Sequence, residues 1–338
     1  MKFYTANTTL WLGRDCKPAS GFRSSVASSK CRFSDRTRPE VTFRKKAHAV
    51  KPDGMVWQEV PLTGTRLVID SSKLQSAELR EFLSASTANL AVLSDFAWFE
   101  VYKQETVDAV LALLSVIGDF PEQIIVLKSG GEIARLNPGL PSEVAAMEQQ
   151  DVASLIREMA DIMNGPRRED PIVLQQLRNL WSSAAVSLAG MHEGAIDIVT
   201  SLPEMSEQMF SEHEIRIIRT NGRYTEEMFA SIFGAAEQIW ETLAEGYGLQ
   251  WRSMLRDHTM SVYLFRYALG IVIYLIWWVR TGSPKLQRVE RIRNDLIDLS
   301  FVVYGTYYDG LLTADRKAEW MFLNLSRALE AARTSAGD

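Results

Sequence analysis

Thiol chemistry is nearly missing from this 338-residue sequence, whose two cysteines, Cys16 and Cys31, lack C-x-x-C spacing and a histidine close by. That pattern excludes a disulfide scaffold, a zinc centre and a thiol nucleophile in the globular part, and it makes a reducing, cytoplasmic setting the expectation. Histidine is scarce too, with four in the chain, and His48, His192 and His213 stand apart with no second ligand at metal spacing. There is no phosphate-cradling glycine loop, no dinucleotide-binding glycine pattern, no Gly-x-Ser-x-Gly and no internal repeat. Long apolar runs are also absent. Tyr267 to Val279 is apolar for 13 residues but is bounded by Arg266 and Arg280, and a span needs roughly 20. The run therefore reads as a buried core helix, and no membrane partner is expected.

What is present is a hydrophobic fraction of 46%, enough for one elaborated domain or two smaller ones. The net charge of -5 conceals an asymmetry, because residues 1–51 carry twelve Lys or Arg against three acids. Residues 1–55 read as a basic disordered leader. Beyond it, a short β-branched strand is expected at Arg66 to Asp70, a helix at Leu74 to Ala85 and a strand at Leu90 to Leu93. Ser94 is placed to cap the next helix with its hydroxyl. Pro121 to Leu127 reads as a strand and Gly130-Gly131 as a turn. From Ser142 to Gly282 helical spacing dominates, in segments 144–164, 171–190, 225–246 and 251–279, with breaks that include Gly190. A strand at Gly310 to Leu312 and a helix at Arg316 to Arg333 close the pattern.

Acids recur where strands end or helices begin. Asp70 ends the run Arg66-Leu-Val-Ile-Asp70, Glu100 lies in the helix after Ser94, and Asp295, Asp298, Asp309 and Asp315 gather near Thr313. Carboxylates that converge from separate elements suit Mg²⁺ or Mn²⁺, hard cations that prefer oxygen donors.

The stretches RLVIDSSKL, SDFAWFEVYK and NDLIDLSFVVYGTYYDGLLTADRKAEWMF resemble the acidic blocks of the PIN-domain nucleases. The likeness covers residues 66–136 and 291–325, about a third of the chain. It implies an α/β fold with a PIN-like parallel sheet, its halves (56–140 and 291–338) separated by a mostly helical insertion at 141–290. It also implies metal-dependent phosphodiester hydrolysis, with Asp70, Glu100, Asp298 and Asp315 as catalytic and metal-holding acids. Asp295 is the competing third acid, Thr313 and Asp309 are supporting groups, and Arg316 and Lys317 are expected to touch phosphate. Single-stranded RNA is the first substrate expected. DNA, an inhibitory protein partner and self-association are left open. Two rivals stand beside this reading: a PIN-like RNA-binding or scaffold protein without catalysis, and metal-independent chemistry. The latter rests on Arg252 and His258, whose spacing resembles the Arg-x(4 to 6)-His signature of HEPN ribonucleases.

Overall fold

Four short strands form one parallel sheet in the order β3-β2-β1-β4: β1 (Arg66–Ile69), β2 (Leu90–Leu93), β3 (Ile124–Val126) and β4 (Gly310–Leu312). The computed structural model describes residues 64–136, 144–249, 256–284 and 289–336. The basic leader, both cysteines and Arg252 lie outside them. In chain order the helices are α1 (Ala77–Ala85), α2 (Asp95–Tyr102), α3 (Val107–Ile117), α4 (Gly130–Ile133), α5 (Val152–Asn164), α6 (Pro171–Met209), α7 (Glu212–Arg219), α8 (Glu226–Gly246), α9 (Tyr263–Arg280), α10 (Val289–Gly305) and α11 (Arg316–Ala336).

The strands are apolar because both faces of the sheet are covered. Val68, Ile69, Ala91, Val92 and Leu93 are all fully buried, as expected of a parallel sheet packed between helices. The pairing of β1 with β2 on one side and β4 on the other matters most for function. The chain leaves β1 toward β3, then returns to the opposite side of β1. In such a sheet the crevice beyond the carboxyl ends of the strands where the order reverses is the usual ligand position.

The helical region does not stand apart from the sheet. α6 packs on α2 and α10, and α9 packs on α8, α10 and α11. Phe96 of α2 meets Phe301 of α10 edge to face, with ring centroids 6.5 Å apart. At Gly270 of α9 an added Cβ would lie 2.7 Å from Leu299 Cδ1 of α10, so the missing side chain permits the close approach of these helices. α9 is long and apolar enough to cross a membrane by length and composition, and 83% of it is buried inside the fold.

Arg266 shows how that helix carries a cation in its core. Its guanidinium donates to Met260 O at 2.8 Å, to Thr306 O at 2.7 Å and to Thr306 Oγ1 at 3.0 Å, and it lies 3.8 Å from the Tyr307 ring centroid. Arg266→Met strands those acceptors, so a loss of about 2 kcal/mol in denaturant unfolding is expected.

Several sequence expectations are corrected. Gly130-Gly131 opens α4 rather than a turn, because Ser129 and Glu132 form a reciprocal capping box. Pro121 starts a 3-10 turn and shortens the third strand to Ile124–Val126. The helix from Pro171 runs through Gly190 and Pro203 to Met209. The helix expected from residue 251 begins at Tyr263, after a 3-10 turn at Arg256–Ser261. Ser94 is buried and makes no capping bond.

Candidate functional site

Asp70 sits immediately beyond β1, where its own backbone N–H bonds Leu312 O of β4 at 3.0 Å. Its carboxylate is held by hydroxyls. Thr313 Oγ1 donates to Oδ2 at 2.6 Å, Ser72 Oγ donates to the same oxygen at 2.8 Å, and Ser71 Oγ donates to Oδ1 at 3.3 Å. Thr313 is shared, since its hydroxyl oxygen also accepts from Asp315 N at 3.0 Å. Asp315 in turn caps α11, its Oδ1 accepting from Lys317 N at 2.6 Å and Ala318 N at 3.3 Å. One threonine thereby ties the acids of two strand ends together.

α10 brings the next pair. Asp295 and Asp298, three residues apart, lie on one helical face, and α10 packs on β1 and β4. Asp295 accepts from Tyr274 Oη at 2.8 Å and from Lys317 Nζ in a short contact, while Asp298 accepts from Lys317 Nζ at 3.1 Å. The competing choices for the third acid are therefore both present, bridged by one ammonium.

The electrostatics follow from that crowding. Burial raises the Asp298 carboxyl to about 7, and the negative charges of Asp70 and Asp315 add to the rise while Lys317 opposes it. Burial by itself would weaken the Lys317 ammonium, but Asp298 and Asp295 outweigh it and hold the lysine above its ordinary value. Negative charge in the pocket thus exceeds what one lysine neutralises.

Other expected residues lie elsewhere or face differently. Glu100 is paired with Lys103 on its own helical turn, and no described contact links it to the other acids. Asp309 is at the amino end of β4, where its carboxylate accepts from Arg66 N at 2.7 Å. That places it roughly 10 Å, three strand residues, from the carboxyl-end pocket, where it fastens the start of β4 to β1 instead of supporting the acids. Arg316 is exposed beside the pocket, whereas Lys317 points into it with 14% of its side chain exposed. His258 falls in the 3-10 turn before α9.

Tyr274 and the inward turn of Lys317 were not foreseen from sequence. A tyrosine within an apolar helical run was the available signal, because a buried hydroxyl usually finds a partner.

The donor set suits a hard divalent cation in its chemistry, since all its candidate ligands are carboxylate oxygens. In its arrangement it does not present an open centre. Among the described residues no group of three His, Cys, Asp or Glu is disposed to hold a metal, and the Lys317 ammonium stands between Asp295 and Asp298.

Compared with family models, curated proteins and solved structures, the chain has no match.

Proposed function

We propose that this is a PIN-like nuclease in which the crevice between β1 and β4 hydrolyses phosphodiester bonds with Mg²⁺ or Mn²⁺, single-stranded RNA being the first substrate to test. The observation that carries the reading is the convergence of Asp70, Asp295, Asp298 and Asp315 at the carboxyl ends of β1 and β4, with one carboxyl raised to about 7 by burial and by its acidic neighbours. Clustered buried acids are costly without a cation, and such groups concentrate at functional sites.

Asp298 and Asp295 would hold the cation, with Asp70 and Asp315 completing the negative pocket. Bound there, it would supply charge neutralisation and an acidified water. Thr313 orients Asp70 and positions the backbone before Asp315. Arg316, exposed at the rim, is suited to steer a phosphate. Lys317 keeps the carboxylates together when no cation is bound, and a divalent ion would compete with it for Asp295 and Asp298. An intracellular setting and the involvement of Glu100 belong to the same proposal.

The Lys317 bridge favours a second reading, an RNA-binding protein whose pocket is permanently neutralised by its own lysine. Incubation of end-labelled RNA with Mn²⁺, Mg²⁺ or EDTA separates the two. Cleavage that requires the cation and disappears in Asp70→Asn and Asp315→Asn is expected. Intact RNA under every condition would select the second reading.

A further inference from the structure

We infer that Trp277, Trp320 and Arg280 form a stacking platform for single-stranded nucleic acid, set one helical turn beyond the acidic pocket. The inference rests on the proposed function for the role of the neighbouring pocket, and on geometry for the platform itself. Trp277 of α9 and Trp320 of α11 meet with ring centroids 5.1 Å apart at an interplanar angle of 51°. The Arg280 guanidinium lies over both, 5.9 Å from the Trp277 ring and 5.2 Å from the Trp320 ring. All three residues are half-buried, so each keeps some exposure to solvent.

Their position is what gives them a role. Tyr274 of α9 donates to Asp295, and Lys317 of α11 bonds the same acid. Trp277 and Trp320 follow these two residues by three positions each, on two helices that pack together. Three residues advance a helix by about 4.5 Å and return to nearly the same face. The tryptophan pair is therefore the next rung of the ladder whose first rung is the acidic pocket.

The surrounding charge suits a polyanion. Arg219 reaches Ser283 Oγ at 3.4 Å, just past the end of α9, and Arg291 and Arg316 are exposed on α10 and α11. Arg219, Arg280, Arg291 and Arg316 form no ion pair among the described residues. An acidic pocket repels phosphates, and a rim of unpaired arginines with flat aromatic faces offsets that repulsion where the strand must approach. Indole faces accept any base, and arginine adds both stacking and a phosphate contact. A nonspecific apolar partner would need neither the guanidinium nor its charge.

Fluorescence anisotropy of a labelled single-stranded RNA of about 12 nucleotides, a length within the site sizes of such proteins, tests this in EDTA, where no cation-dependent cleavage occurs. Wild-type binding is expected, with quenching of tryptophan emission, and affinity should fall about tenfold in Trp320→Leu and in Arg280→Gln. Should Trp320→Leu fail to fold by circular dichroism, Trp320→Phe, which keeps an aromatic face, is expected to bind within about threefold of wild type while Arg280→Gln remains weak. Single-stranded DNA of the same length that competes equally would extend the ligand class without changing the platform. No binding by wild type, or equal binding by wild type and Arg280→Gln, overturns the inference. Binding that depends on the platform without cleavage in Mn²⁺ would instead refute only the nuclease reading, and cleavage with platform-independent binding would refute only the platform.

Discussion

Lys317→Met is expected to destabilise the protein by about 3 kcal/mol at pH 8. The substitution removes the one ammonium that bridges Asp295 and Asp298 and leaves both carboxylates in a mostly buried pocket, and breaking one partner of a buried pair costs roughly 3–5 kcal/mol. The lower figure applies because about a fifth of the Asp298 side chain remains exposed. In a protein of this size that corresponds to a fall in Tm of about 4–6 °C. The loss should shrink toward pH 5, where the stranded acids take up protons, and millimolar Mn²⁺ should recover part of it if the pocket accepts a divalent ion. Calorimetry at the two pH values, with and without Mn²⁺, measures both. A variant with the wild-type Tm at pH 8 would show that the bridge contributes nothing to stability. In the wild-type protein the lysine's contribution is complete below the ordinary lysine range and is lost only as pH rises beyond it, since its pKa is raised.

Asp298→Asn should have the opposite effect on stability while removing cleavage. The carboxyl rises from 3.8 to about 7 in the folded state, which disfavours its ionised form by on the order of 4 kcal/mol. Because the folded protein holds the extra proton between about pH 4 and 7, stability falls as pH rises through that window. Asparagine removes that slope. Partial exposure and the loss of a partner for Lys317 reduce the expected net gain at pH 8 to about 1–2 kcal/mol. Urea unfolding at pH 4.5 and pH 8 would reveal it as a gain confined to the higher pH. A gain in stability joined to a loss of activity is the behaviour of a group kept for chemistry rather than for the fold.

Much of the sheet was legible because strand signals are local. Arg66 to Ile69, Leu90 to Leu93 and Gly310 to Leu312 are short, apolar and bounded by turn residues, and they appear where periodicity places them. The third strand is shorter than the expected Pro121 to Leu127, since Pro121 opens a 3-10 turn and the Gln123 side-chain amide is held within reach of Leu83 O, Ser86 O and Asn89 O. Helix length was the poorest inference. An interior proline costs about 3 kcal/mol, yet α6 continues past Pro203 because Leu202, Met205 and Ser206 are buried on either side of it.

Of the acids that meet in space, Asp70 and Asp315 stand at element ends as expected, whereas Asp295 and Asp298, which the family resemblance pointed to, lie in the middle of α10 rather than at its start. Side-chain direction was not legible. Lys317 follows Asp315 in a sequence that reads as a solvated first turn, and only the approach of α10 turns it inward. Glu100 has a local cation three residues away, and such an i,i+3 pair was visible in the sequence but gave no hint that it would be the residue's partner.

The clasp between Thr313 and Asp70 joins groups 243 residues apart, and that separation constrains how the molecule is made. While the chain is being synthesised, β1 can align with β2 early, but the flank that β4 will cover stays bare until more than two hundred further residues have been added. An unpaired strand border of that kind invites association with other chains, and closing so long a loop slows the final step. Newly made protein should therefore depend on chaperones for its yield far more than the finished fold depends on them for its survival.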